Sequence, residues 1–414
     1  PDAELTAALD GLIKAELIYR RGLPPEATYM FKHALVRDAA YESLLKERRR
    51  AIHARILTAL ETDTDVAPEI LAVHAQAANL TDRAIDLWEA ASKAAIARPA
   101  FDEAISHLRH AVALINPNVD GGNRPVTERA LALQVQLGFA CLQGLGYAAD
   151  ETKTAMERAL LLADLIGDTP LRFDVVFALW TGRYVRAEHA EALSWSKVLL
   201  DVAETSGDSI ELVLANRSRA VYSVMSGRLA EAESFLDRSL AAYDPARHDG
   251  IASRFGQEIG VTTHIYHSFN AVLLGDTGRA ARHAQEAENR ALASSHTITI
   301  CYVHGHLIIC AIIANDEPAL AYHLNALKPI VEEHNLHIWL IIARIASALL
   351  RAGRGDPAGI DGFFALDADM VAGKNGVWLP TLRIEAGKRA LALGLYCQAR
   401  DLAAMALETI ETTG

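Results

Sequence analysis

Cysteine is scarce in this 414-residue chain. Only Cys141, Cys301, Cys310 and Cys397 occur, with no close pair, which excludes a disulfide-built scaffold and leads us to expect a reducing, cytoplasmic setting. Positive charge is short as well. Forty Lys and Arg stand against 52 Asp and Glu, a net charge of −12, which argues against a nucleic-acid or anionic-membrane surface as the main business of the chain. The longest apolar runs, residues 307–314 and 336–350, the second broken by Arg344, fall short of the ~20 residues of a membrane span. Phosphate-loop chemistry is missing too. Gly373-Lys374 and Gly387-Lys388 lack both the preceding glycine and the following hydroxyl. No Gly-x-Ser-x-Gly, His-Glu-x-x-His or Cys-x-x-Cys pattern occurs, so no catalytic residue and no cofactor is expected.

What is present is a soluble-type composition, 51% apolar and 22% charged, long enough at ~150 residues per domain for two or three domains. Residues 1–65 differ from the rest. Leu5, Leu9, Leu12 and Ile13 predict a helix over 2–14. Residues 16–21 and 28–33 read as two β-strands joined by a turn rich in Gly and Pro. Residues 34–62 then read as one long helix, docked on the hairpin at one end and on the first repeat around Trp88 at the other. Helix, hairpin, helix is the pattern of the end of a winged-helix domain. With Pro1 at the start, the chain reads as a piece of a longer protein.

From residue 66 to 414 strand signal almost vanishes and helical periodicity repeats. A turn position, a small residue five further on and another small residue seven beyond that recur as Gly227/Ala232/Ser239, Gly275/Ala280/Ala287, Gly353/Ala358/Ala365 and Gly394/Ala399/Ala406. Extension gives Pro99/Ala104/Ala111, Tyr147/Thr152/Ala159, Ala187/Ala192/Leu199 and Ala314/Ala319/Ala326, about eight helix pairs in all. Glycine suits the left-handed end of a helix, and the small residues let neighbouring backbones approach. Asp316 and Asp356, each followed by a first-turn proline, mark helix starts. Pairs that cannot bury their own apolar face stack into a solenoid.

Trp88, Ala104, Leu108 and Ala111, ending at Asn116-Pro117, resemble the tetratricopeptide repeat. The turn spacings of 39–48 residues exceed its usual ~34 and leave a HEAT or armadillo class open on spacing alone. The expected fold is all-α: a right-handed α-solenoid of tetratricopeptide-like hairpins behind a small winged-helix remnant with one β-hairpin. A wider resemblance rests on Tyr29-Met-Phe-Lys-His-Ala-Leu-Val-Arg-Asp-Ala-Ala-Tyr-Glu-Ser-Leu-Leu45 and Arg48-Arg-Arg-Ala-Ile-His53. In the repeats it rests on Arg228-Leu-Ala-Glu-Ala232 with Tyr243-Asp-Pro245, Leu273-Leu-Gly-Asp-Thr-Gly-Arg-Ala280 and Trp378-Leu-Pro-Thr-Leu-Arg-Ile-Glu-Ala-Gly387. These stretches resemble bacterial proteins that join an adenylate/guanylate cyclase or another output domain to a signalling ATPase and a C-terminal repeat array. The resemblance implies a non-catalytic, ligand-sensing or protein-binding regulatory module, coupled to an upstream ATPase and output domain. A sensor array of a transcriptional regulator is the alternative reading, and an enzyme built on a helical toroid a third.

Histidine is common, at 16 residues. His264/His267, His107/His110 and Cys301/His304 are three apart and share helix faces, but without a recognised ligand pattern they read as packing, and no metal site is assigned. The basic run at Arg48, Arg49 and Arg50 follows the hairpin and reads as a contact with the neighbouring domain rather than with nucleic acid. Trp180, Tyr184, Tyr222, Tyr266, Tyr302 and Trp339 all fall in first helices of their pairs. They are the candidate concave-face surface for a protein or peptide ligand.

Overall fold

The first-turn prolines and acidic helix starts are where the structure, a computed structural model, begins its helices. It describes residues 2–24, 27–98, 100–115, 124–167, 170–248, 251–334 and 336–413. The hairpin-turn residues Pro25 and Glu26, the register position Pro99 and the Asn116-Pro117 terminus lie outside them, as does Pro1. By packing, the chain divides into two units, Pro1–Ile115 and Asn116–Gly414. The boundary expected at 65/66 therefore falls inside the first unit.

In the first unit α1 (Asp2–Lys14) leads into an antiparallel hairpin, β1 (Ile18–Arg21) and β2 (Thr28–Phe31), with Ile18 opposite Phe31 and Arg21 opposite Thr28. The long helix expected over 34–62 is two helices instead, α2 (Ala34–Glu42) and α3 (Lys46–Leu60). The break has a local cause. The Ser43 hydroxyl donates back to the Ala40 carbonyl at 2.7 Å, and Leu45 is extended at ψ 144°. As a result α2 packs on β2, while α3 packs on α4 (Pro68–Ala77). α5 (Thr81–Ala97) and α6 (Phe101–Leu114) complete the unit, with Trp88, Ala104, Leu108 and Ala111 buried as the repeat signature requires.

Among its described residues the second unit has helices and loops but no strand: α7 (Arg124–Leu145), α8 (Asp150–Ile166), α9 (Leu171–Val185), α10 (His189–Ser206), α11 (Ser209–Met225) and α12 (Leu229–Ala242). Two single turns, α13 (Pro245–His248) and α14 (Ala252–Phe255), precede α15 (Ile259–Leu273), α16 (Thr277–Ser294), α17 (Thr297–Ala314) and α18 (Glu317–Glu333). The unit ends with α19 (His337–Gly353), α20 (Ala358–Ala372), α21 (Leu379–Ala392) and α22 (Tyr396–Thr413). From α7/α8 to α21/α22 these helices pack as successive antiparallel pairs, a helical-repeat solenoid.

Its register is written in left-handed residues. Ala187, Gly227, Gly275, Asn315, Gly355 and Gly394 all have φ between 52° and 91°. The residue twelve further on is buried in every case: Leu199, Ser239, Ala287, Leu327, Asp367 and Ala406. This corrects two units of the expected register. Asn315 rather than Ala314, and Gly355 rather than Gly353, take the turn. Leu320, Leu327, Ile360 and Asp367 are therefore buried, Ala319 and Ala326 are half-buried, and Ala358 and Ala365 face solvent. Asparagine tolerates the left-handed region, so it ends a helix as glycine does. The acidic starts behave as expected. Asp316 caps the Ala319 amide at 3.0 Å, and Asp356 caps that of Ala358 at 3.0 Å.

By length and composition α17 is apolar enough to cross a membrane. Here it is a core helix, packed against α15, α18, α19 and α21. Counting only unbroken apolar runs hid this, because His304 and His306 interrupt it.

Candidate functional site

The first helices of successive pairs place aromatic rings side by side. On α9, Trp180 and Tyr184 are one turn apart and stack at 5.6 Å. The Tyr184 hydroxyl shares a 2.7 Å hydrogen bond with that of Tyr266 on α15. His306 on α17 carries the chain onward. It lies 6.0 Å from the Tyr266 ring, 4.0 Å from Tyr302 and 5.8 Å from Trp339. Five of the six aromatics singled out in the sequence thus join one wall. Tyr222 stands apart, its ring under Arg228 at 4.9 Å. The wall is tightly built. Trp180, Tyr184 and Tyr266 are buried, Tyr302 and Trp339 half-buried. At Gly305 a methyl would fall 2.5 Å from the Trp339 ring, so only glycine fits.

Sequence reasoning missed the most informative member. Arg217 on α11 is 2% exposed. Its Nη1 donates to Thr262 Oγ1 at 2.7 Å, and its guanidinium lies 5.4 Å from the Phe177 ring and 6.0 Å from that of Trp180. Its Nε has no hydrogen-bond partner, and neither has Nε1 of neighbouring Trp180. Among the described residues no carboxylate pairs with this cation. A buried charge without a counter-charge is costly, and unmatched donors add to that cost. The charge is felt along the wall. Burial pushes the Tyr147 phenol up to about 12 and raises Tyr184, Tyr266 and Tyr302, while Arg217 pulls all four the other way. Nothing in a lone arginine within a helical repeat distinguishes it from a solvated one; only its apolar flanks, Val213 to Ala215 and Ala220-Val221, hint at burial.

Residues 373–378, between α20 and α21, cross to the far end of this unit. Lys374, left-handed at φ 56°, places its ammonium 2.6 Å from Asp150 at the start of α8, and Arg186 binds the same carboxylate at 2.8 Å. These two cations hold the Asp150 carboxyl at about 2, below its ordinary range. The Val377 amide donates to the Val185 carbonyl at 3.1 Å. Trp378 is 7% exposed and seats its ring 5.2 Å from Phe269 and 5.7 Å from His306. The segment is a strap that contributes an aromatic ring to the same wall. Beside Tyr147 the remaining space is about 10 Å³, room for a water.

The histidine pairs noted in the sequence have other partners. His107 and His110 stack on Trp88 in the first unit, at 5.4 and 4.6 Å. With Ile70 and Val73 they line an open groove of about 280 Å³. Cys301 is buried and its thiol pushed up to about 12 by burial, while His304 meets His323 instead. Arg48 and Arg50 are exposed, and Arg49 lies 5.1 Å from the Tyr41 ring.

No family model matches the chain. A curated relative, "Uncharacterized protein R02095" of Rhizobium meliloti (strain 1021), is 27% identical over 263 residues, 61% of this chain. That match spans a quarter of the relative's length. Among solved structures, a Rap protein complexed with Competence and Sporulation Factor aligns with a TM-score of 0.55 and 11% identity, over 89% of this chain and 99% of that one. A circular tandem repeat protein aligns with a TM-score of only 0.25. The packing of helix pairs and the first of these structural likenesses agree: the chain has a tetratricopeptide-like helical-repeat fold.

Proposed function

We propose that the chain is a non-catalytic sensing module that binds a peptide or small ligand through an anionic group at Arg217, on the inner aromatic wall. The observation that carries this reading is the buried guanidinium, paired with no carboxylate among the described residues, beside a second unmatched donor, Trp180 Nε1. A ligand carboxylate would supply both the charge and the acceptor oxygens, and Arg is suited to hold it in two-point fashion. The strap at 373–378 is the element that has to move for entry. A fold like that of the Rap protein, which was solved with Competence and Sporulation Factor bound, supports a ligand-binding role for the array.

The module works within a larger cytoplasmic signalling protein and transmits ligand occupancy to an upstream ATPase and output domain, a nucleotide cyclase by family resemblance. Support comes from the much longer relative and from the first unit, where Leu23, Leu35 and Leu45 are 79–83% exposed. An apolar surface of that kind suits a neighbouring domain. In this reading residues 1–65 are the winged-helix remnant, and Arg48 to Arg50 lie at that contact.

The test is a thermal-shift screen of acidic peptides with free or amidated C-termini. Free-carboxylate peptides raise the melting temperature of the wild type and fail to do so for Arg217→Met. Without ligand, Arg217→Met melts at or above the wild-type temperature, because an uncompensated charge has gone. A folded Arg217→Met variant that keeps the ligand shift, or a strongly destabilised one with no ligand found for the wild type, makes Arg217 a structural residue and refutes the site.

A further inference from the structure

Three consecutive helices bring together a set of donors that the ligand reading does not use. His304 on α17 and His323 on α18 face each other with Nδ1 atoms 3.2 Å apart. Glu288 on α16 sends Oε1 to 3.8 Å from the first and 3.6 Å from the second. His304 and His323 are both buried, at 7% and 8% exposed, and Glu288 Oε1 is buried without a hydrogen-bond partner.

Protons alone do not satisfy this triangle. One Nδ1–H can donate to the other Nδ1, but the carboxylate oxygen then stays at 3.6–3.8 Å, beyond hydrogen-bond reach of either ring. A buried acceptor left bare costs about 1–3 kcal/mol or more. A cation at the centre satisfies all three lone pairs together. Metal–nitrogen and metal–oxygen bonds of about 2.0–2.2 Å at tetrahedral angles put ligand atoms roughly 3.3–3.5 Å apart. The observed edges of 3.2, 3.6 and 3.8 Å bracket that value.

We propose that Glu288, His304 and His323 bind a divalent transition-metal ion of the zinc class. Two imidazoles and one carboxylate are the borderline donors such ions take, whereas calcium and magnesium prefer all-oxygen sets. Burial raises the Glu288 carboxyl above its ordinary value, and neighbouring Tyr322 acts in the opposite direction. Three protein ligands leave a fourth position for water or a further donor. The ion ties α16, α17 and α18 together.

Comparison within the chain shows what is special here. Forty residues earlier, His264 and His283 also meet Nδ1 to Nδ1, at 3.0 Å, but the position forty before Glu288 is His248, and Arg290 acts electrostatically on His264. Glu233, Asp237 and His267 also cluster, yet Glu233 already accepts from Arg279 at 2.8 Å and Asn270 at 2.6 Å. A histidine pair is common in this chain. A partly buried carboxylate whose Oε1 has no hydrogen-bond partner and faces the pair is what sets the α16–α18 set apart.

The experiment uses the full, tag-free chain, stripped with chelator and titrated with zinc chloride by calorimetry and with cobalt(II) by visible absorption. One equivalent binds, with the intense bands of a tetrahedral cobalt site, and zinc raises the melting temperature. Glu288→Gln preserves shape and weakens binding by more than the roughly 10–100-fold that loss of an outer partner costs. His323→Ala abolishes it, and His264→Asn leaves it unchanged. Absence of stoichiometric uptake overturns the proposal. So does uptake that survives in folded Glu288→Gln, or that disappears in His264→Asn. Retained zinc binding with a failed peptide screen, or the reverse, separates this site from the Arg217 reading.

Discussion

A single methyl group at residue 359 should damage the last helix pairs of the solenoid. Gly359 lies in the first turn of α20, against the backbone of α19. A Cβ there would sit 2.4 Å from the Ala348 carbonyl oxygen, 2.6 Å from the Ala352 nitrogen and 3.1 Å from its Cα. Comfortable contact for such atoms is about 3.5 Å, so the two helices must part by about 1 Å. The obstacle is helix backbone, which cannot rotate away as a side chain would. Helix propensity favours alanine by ~1 kcal/mol. Overpacking typically costs ~1–3 kcal/mol, and a rigid neighbour places this site at the upper end. The net expectation for Gly359→Ala is a loss of roughly 1–2 kcal/mol, a fall of a few degrees in melting temperature. Because repeats depend on their nearest neighbours, hydrogen exchange should accelerate first in α19 to α22. Gly11→Ala is the control, since its Cβ meets nothing within 4 Å, and it should be neutral or gain up to ~1 kcal/mol. A Gly359→Ala variant as stable as wild type would refute the close approach of α19 and α20.

Lys374→Glu should leave the overall melting temperature nearly unchanged, because both partners of its ion pair are largely exposed. The Val377 amide should nevertheless exchange faster and proteolysis within 373–378 should increase; equal exchange in the two proteins would argue against a strap held at Asp150. Acid should destabilise the second unit between about pH 6.5 and pH 4. Burial and then His283 lower His264 to about 3, while burial and then His267 lower His283 to about 4. In that window the unfolded chain binds more protons, so stability is full above pH 6.5 and falls with pH. His264→Asn should flatten this dependence in pH-stepped urea titrations, and an unchanged slope would contradict the neutral buried pair.

The parts of the fold that were legible in the sequence are those with local causes. Helix starts at Asp316 and Asp356 follow from capping, and the Gly227, Gly275 and Gly394 turns from left-handed geometry. The register slipped at Asn315 and Gly355 because alanine and a nearer glycine offered competing turns, and only the helix length decides between them. The Ser43 break in the helix expected over 34–62 depends on one back-bonded hydroxyl, which helical periodicity does not report. Of the wall, the aromatic rings recur on first helices and could be found, whereas Arg217 looks like any surface charge. Glu288, His304 and His323 are 16 and 19 residues apart. No motif links them; the stacking of α16, α17 and α18 does.

The strap at 373–378 bears on how this unit stores and transmits mechanical work. An open stack of helix pairs behaves as a soft spring, in which each repeat can fray or flex against its neighbour. The bond from Val377 to Val185 and the salt bridge from Lys374 to Asp150 join residues about 190 and 224 apart in the chain and shunt that spring. Extending the stack then strains the tie before it strains the individual repeats, so the pairs between α8 and α21 share a load instead of yielding one at a time. Releasing the tie would lower the stiffness of the whole segment in one step, a change that can be felt at either end without any single helix pair being rebuilt.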